Sequence, residues 1–328
     1  MNLVKPYLIW LALFMMLACN DSSFKPSAAP SAAPEREPEP IQADIDFVES
    51  EEDGPVVDDL GALTDTYAVS LKVDIVFAID TSASMNDEIA AVEANLGNML
   101  ATLNNGRLDA YMHLLMEDTF NLPPTIDANK FAYVQQQVGS SNAISRLTGL
   151  FNGLYAASYR DIQNMPLATP LAFRNDAKKE VVVISDDNGS GEGNLAVDFD
   201  PNNTLKATFN AIVGLPTSVE NDTCDVSGIG TEYIQLANQS KGSMLDLCSP
   251  DWTGLIKRLS DEMVKRSVTF TLSQVPNDAE AIIVFVEEQK MEREDWMYDA
   301  ENNVVTLLKT DMIKDGSNLS INYNPATM

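Results

Sequence analysis

One stretch constrains this chain more than any other. Val73-Asp74-Ile75-Val76-Phe77-Ala78-Ile79 is an almost unbroken β-branched and aromatic run. A strand with one wet face alternates apolar and polar residues. A run like this one is instead buried on both faces, as in a parallel sheet covered by helices. The polar segment Asp80-Thr81-Ser82-Ala83-Ser84 ends it. Ile89, Val92, Leu96, Met99 and Leu103 then recur at three- and four-residue steps, which predicts an amphipathic helix over Met85–Leu103. Ser84 or Asn86 stands where a side chain can cap its start.

The same alternation continues. Ala110–Met116 and Phe131–Val138 read as strands, and Ile144, Leu147, Leu150 or Phe151, and Leu154 as the apolar stripe of the next helix. Glu180-Val181-Val182-Val183-Ile184 is another buried-type strand, whereas Ala207–Leu215 suits strand or helix. A short helix over Glu232–Gln239, a strand within Gly242–Cys248 and a helix marked by Trp252, Leu255, Ile256, Leu259 and Met263 follow. Strands alternating with helices imply a doubly wound, mostly parallel α/β fold, here spanning residues 67–266. Beyond Ser267 the period changes to two. Val268–Leu272, part of Ala281–Val286, Val304–Leu308 and Leu319–Tyr323 read as strands separated by Asp/Asn/Gly turns. Residues 267–328 are therefore expected to form a small all-β C-terminal domain.

A strand, then an Asp/Ser turn, then a helix is also a place for chemistry, because ligands of open α/β sheets bind beyond the carboxyl ends of strands. A carboxylate and two hydroxyls are hard oxygen donors suited to Mg²⁺, Mn²⁺ or Ca²⁺. Asp80-Thr81-Ser82-Ala83-Ser84 resembles the metal-ion-dependent adhesion site, the D-x-S-x-S motif of von Willebrand factor A domains. The resemblance covers about residues 70–266, over the strand, turn and helix pattern just described. In that family a threonine after the third strand and an aspartate after the fourth complete the metal shell. Here Gly139-Ser140-Ser141-Asn142-Ala143 takes the place of the threonine loop, with Ser141 the best match and Ser140 the other register. Ser185-Asp186-Asp187-Asn188 follows the fourth strand, with Asp186 the match and Asp187 its alternative. The resemblance implies a divalent cation held by Asp80, Ser82, Ser84, Ser141 and Asp186, and a protein partner that offers a Glu or Asp to it. Side-chain capping of the helix by the same Asp and Ser residues is the plain alternative.

The ends of the chain speak to location. Leu8–Ala18 is apolar for about 11 residues, against the ~20 that cross a bilayer, and follows Lys5, so residues 1–19 read as a signal peptide. Met16-Leu17-Ala18-Cys19 resembles a bacterial lipobox, with lipid on Cys19 and a membrane anchor; cleavage near Ala18 leaving a free thiol is the alternative. Asn20, rather than aspartate, after that cysteine favours the outer membrane, on its periplasmic face or at the cell surface. Residues 20–66, rich in Pro, Ala and acidic side chains, suit a disordered tether. With Cys19 lipidated, Cys224 and Cys248 remain and are expected to pair in an oxidising compartment. Such a bridge closes a loop of about 25 residues and contributes roughly 3–4 kcal/mol on the chain-entropy view.

Charge and composition narrow the function classes. A net charge of −28, from 21 basic and 49 acidic residues, argues against nucleic acid as a partner. The single histidine, His113, excludes a multi-histidine zinc site, and no G-x-S-x-G or P-loop occurs. His113 itself sits inside a strand pattern and reads as structural or surface. The expectation is a non-enzymatic, metal-dependent binding protein of the envelope, with a structural scaffold whose metal only steadies loops as the alternative and a metal-dependent hydrolase on Ser185-Asp186-Asp187 as the further one.

Overall fold

The computed structural model of the chain describes residues 56–57, 62–117, 122, 126–189, 206–220 and 226–326. The segment 1–19, with Cys19, and nearly all of the expected tether lie outside these residues. So does Cys224. The run Val73–Ile79 lies at the centre of a seven-stranded sheet. From one edge its order is β6 (Tyr159–Arg160), β5 (Phe131–Gln135), β4 (Asp109–Met116), β3 (Lys72–Ile79), β7 (Lys178–Ser185), β8 (Thr208–Val213) and β9 (Met244–Asp246). All neighbours are parallel except β5 and β6. The ambiguous Ala207–Leu215 segment is therefore a strand. Residue alternation along β3 divides the core between two faces. Val73, Ile75, Phe77 and Ile79 pack with the helices Asn86–Asn105 and Trp252–Ser267, while Val76 and Ala78 pack with the helices Ala143–Phe151 and Thr231–Gln239. Each fully buried Ile or Phe here contributes roughly 1.5–3 kcal/mol. Leu154, expected on the apolar stripe of the Ala143–Phe151 helix, lies past its end and is 72% exposed.

Two antiparallel sheets complete the structure. One runs β1 (Val56–Val57), β2 (Leu63–Ala68), β15 (Asn318–Tyr323), β11 (Ile283–Val286), β12 (Gln289–Lys290). The other runs β10 (Thr269–Thr271), β14 (Val304–Leu307), β13 (Trp296–Asp299). The β part is thus not wholly C-terminal. Leu63–Ala68 pairs in register with Tyr323–Asn318, so the fold begins ahead of residue 67, inside the stretch expected to be tether. The reason is Asp65, whose carboxylate accepts hydrogen bonds from the Ser273 amide (2.8 Å), the Ser273 hydroxyl (2.7 Å) and the Tyr323 hydroxyl (2.8 Å). An acidic residue that reads as solvated linker is buried, its charge met by donors far along the chain. The described residues form one compact unit, and a single core cluster joins Phe77 and Leu96 to Val284, Trp296 and Ile321. The change near residue 267 is one of architecture, not a linker.

Buried acids at the amino ends of the central strands are paired. Asp74 on β3, fully buried, accepts from Arg174 Nε (2.8 Å) and the Arg174 amide (2.7 Å), with Lys179 Nζ at 3.3 Å. Glu180 on β7 meets Arg266 Nη2 at 2.9 Å and Asn210 Nδ2 at 2.7 Å. His113, in mid-β4, is buried against the Phe173 ring (centroids 4.3 Å), and its Nδ1 lies 3.5 Å from the Tyr159 hydroxyl. Burial first, then Lys179 and Arg174, hold its pKa down to about 3, so it is neutral.

Candidate metal-binding site

The sheet order places β3 and β7 side by side, although β4, β5 and β6 come between them in sequence. The chain leaves β3 toward one edge and crosses back at β7 toward the other. That is the switch point at which ligands of open parallel sheets bind, beyond the carboxyl ends of the strands. Asp80 and Asp186 each sit one residue past those ends. The Asp80 amide continues the ladder, donating to Ile184 O at 2.9 Å.

Asp80 is 1% exposed. Its Oδ1 accepts from the Ser82 amide (2.9 Å) and its Oδ2 from the Ser185 hydroxyl (2.9 Å). The first bond folds the turn back on itself, an Asx-type closure that a short carboxylate makes with the amide two residues on. Ser82 and Ser84 are thereby brought together, their hydroxyls 3.0 Å apart. Neither serine caps the helix. A 3₁₀ turn, Ala83–Met85, precedes it, and neither the turn nor the helix has a side-chain cap; Asn86 Nδ2 instead donates to Ala83 O at 3.0 Å. The expected cap by Ser84 or Asn86 is not formed, because the hydroxyls of the turn face one another rather than the helix amides.

Asp186 is 2% exposed. Its Oδ2 accepts from the Ser227 hydroxyl at 3.0 Å, and its Oδ1 is buried with no hydrogen-bond partner. Asp187 is half-buried and turned locally: its amide donates to Ser185 Oγ (3.2 Å) and its Oδ1 accepts from the Asn188 amide (2.6 Å). The loop after β5 reaches past the end of β4 to the turn. Val138 O accepts both the Thr81 amide (2.8 Å) and the Thr81 hydroxyl (3.0 Å). Asn142 Oδ1 accepts from the Gly139 amide (2.9 Å) and shapes that loop. Ser140 in it is half-buried and Ser141 exposed.

The electrostatics are those of carboxylates that repel one another with no ion-pair partner among the described residues. Burial raises the pKa of Asp80, against the hydrogen bonds from Ser82 and Ser185, and Asp186 adds repulsion. Glu88, in the first turn of the Asn86–Asn105 helix, is raised by burial and then by Asp87 and Asp186, and its Oε2 is a buried oxygen without a hydrogen-bond partner. Among the described residues no Lys or Arg makes an ion pair with Asp80, Asp186 or Glu88. Nor do three or more His, Cys, Asp or Glu side chains among them gather as a metal cluster. Any cation here would rest on two aspartates mixed with hydroxyls. The buried Asp186 Oδ1, unpartnered among the described residues, and the paired Ser82 and Ser84 hydroxyls fit a hard divalent ion in chemical type.

The sequence marks neither Ser227 nor Glu88 as a site residue. Ser185 had a signal, since it precedes Asp186 at the end of a buried strand. Ser227 had none, because it reaches Asp186 only through the packing of its loop. Cys248, just past β9, is disulfide-bonded; Cys224, its expected partner, lies outside the described residues. No helix among the described residues is long and apolar enough to cross a membrane.

No protein-family model matches the chain, and no curated protein matches it. Among solved structures, the chain is similar to the pilus adhesin SpaC from Lactobacillus rhamnosus GG in its open conformation, at 13% identity and a TM-score of 0.32. The match covers 80% of this chain and 40% of that one, so the chain spans about two-fifths of the adhesin's length. A likeness this slight carries no function across.

Proposed function

We propose that this chain is a von Willebrand factor A-like, lipid-anchored envelope protein that binds a protein partner through a divalent cation. One observation carries the reading. On β3 and β7 the acids at the amino ends, Asp74 and Glu180, have guanidinium partners, whereas the acids past the carboxyl ends, Asp80 and Asp186, are equally buried and have none among the described residues. A buried carboxylate without compensation costs several kcal/mol. Two on neighbouring strands call for a cation from outside the chain.

Asp80, Ser82 and Ser84 would hold the ion, with Asp186 and one serine of the 139–142 loop, Ser141 or Ser140, completing its surroundings. Mg²⁺, Mn²⁺ and Ca²⁺ all suit this donor set. A dication with few charged protein ligands stays electrophilic and accepts a Glu or Asp side chain of a partner in place of water. Cys19 would carry the lipid, the acidic stretch after it would hold the folded part away from the outer membrane, and Cys224 would pair with Cys248.

Calorimetry with Mn²⁺ and Mg²⁺ tests the reading. The intact chain is expected to bind one ion. Asp80→Ala should weaken binding at least ~100-fold, equivalent to about 2.7 kcal/mol, without lowering the cation-free unfolding midpoint. Capture of envelope or foreign-cell surface proteins should then be EDTA-sensitive and lost in the variant. Absence of ion binding by the intact chain sinks the proposal; a fall in melting temperature with capture intact makes the ion a loop stabiliser in a scaffold instead.

A further inference from the structure

We infer that Ser227 is a positioning residue that aims Asp186 at the cation, an inference that rests on the proposed function. Asp186 has two buried carboxylate oxygens. Ser227 takes one of them, its hydroxyl donating to Oδ2 at 3.0 Å, and leaves Oδ1 as the only oxygen free for another donor or an ion. The backbone is clamped by the same loop, because the Gly228 amide donates to Asp186 O at 3.0 Å. Side chain and main chain of Asp186 are thus fixed from one direction by consecutive residues.

The loop that does this is itself fixed on the end of β8, the strand beside β7. The Gly230 amide donates to Gly214 O at 3.1 Å. A Cβ at Gly214 would come within 2.6 Å of Gly228 O, and one at Gly230 within 2.5 Å of Val213 Cβ, so the approach needs glycine at both places. Ser227 has no competing local duty. The helix that follows, Thr231–Gln239, has Gly230 at its N-cap position, without a side-chain cap. Ser227 is an exposed residue whose part-buried hydroxyl bond holds a carboxylate that is 2% exposed. It covers Asp186 and stops the carboxylate turning about its Cβ–Cγ bond. Groups that orient a metal's carboxylates in this way are typically worth 10- to 100-fold in affinity.

The test is a Mn²⁺ titration of the full chain by calorimetry, with Ser227→Ala and Ser227→Thr beside the wild type. Ser227→Ala should raise the Kd about 10-fold or more, and Ser227→Thr, which keeps the hydroxyl, should return it to within about threefold. The cation-free thermal midpoint should move little in both, since Ser227 is an exposed residue and the change is confined to one hydroxyl. Wild-type Mn²⁺ binding that Ser227→Ala leaves within threefold overturns this role and spares the proposed function. So does a weakened affinity that Ser227→Thr fails to restore and that tracks a fall in the thermal midpoint. A wild-type chain that binds no Mn²⁺ overturns both.

Discussion

The two ends of the seven-stranded sheet handle buried negative charge in opposite ways. At the amino ends Arg174 is held among Asp74, Asp109 and the backbone carbonyls of Val73 and Asp109, and lies 3.8 Å above the Tyr111 ring centroid. Every carboxylate of that network faces a permanent cation of the same chain. At the carboxyl ends Asp80 and Asp186 have, among the described residues, only hydroxyls and an amide. The same two strands carry both kinds of acid, so burial alone does not separate a structural carboxylate from a candidate ligand. The presence of a matching cation within the chain does.

Three measurements can break or sharpen that contrast. The largest effect is expected from Asp74→Ala, which strands Arg174 and Lys179 beside a missing charge. It should cost about 3–5 kcal/mol of unfolding free energy in urea, as for other buried pairs broken on one side, with no selective loss of cation affinity. If Asp74→Ala is as mild as Asp80→Ala in cation-free protein, the contrast between the ends fails.

The second effect is acid-linked. His113 is neutral in the folded chain with a pKa of about 3, against 6.5 when unfolded. Its folded pKa is the lower one, so the unfolded chain takes up the proton first and stability falls as pH drops below 6.5. Between pH 6.5 and 4.5 the loss should reach about 2–3 kcal/mol, at ~1.4 kcal/mol per pH unit. His113→Phe should remove that part of the slope in urea melts taken at both pH values, and an unchanged slope would place the acid sensitivity elsewhere. The smallest effect is expected from Ser185→Ala, which removes one of the two donors to Asp80. Cation affinity should drop about 10-fold by calorimetry, and a change under twofold would show that the Ser82 amide suffices to aim Asp80.

The legible parts of this molecule carry their signal locally. β3 and β7 announce themselves through β-branched runs, and the Asn86–Asn105 and Trp252–Ser267 helices through apolar spacing, because burial on two faces or one stripe leaves a periodic trace. β2 left none that could be trusted. Leu63-Thr64-Asp65-Thr66-Tyr67-Ala68 puts an aspartate on its buried face, and the donors that make this tolerable, Ser273 and Tyr323, are more than 200 residues away. β13, Trp296-Met297-Tyr298-Asp299, is short and ends in turn residues, so its pairing with β14 shows only in three dimensions. At the candidate site, Asp80 and Asp186 stand out as acids next to buried strands. Ser227 could not, being 41 positions from Asp186 and placed by two glycine contacts rather than by any spacing.

The pairing of β2 with β15 has a consequence for synthesis. Leu63 meets Tyr323, and Ala68 meets Asn318, so the first long strand of the fold waits for a partner made more than 200 residues later. The parallel sheet can form as its strands emerge, but the five-stranded sheet cannot close until Asn318–Tyr323 has been made. Contacts this distant in sequence are slow to form, and until they do β2 presents an unpaired edge. A chain cut before Asn318 would keep every residue of the candidate site and lose the strand that holds the fold's two ends together.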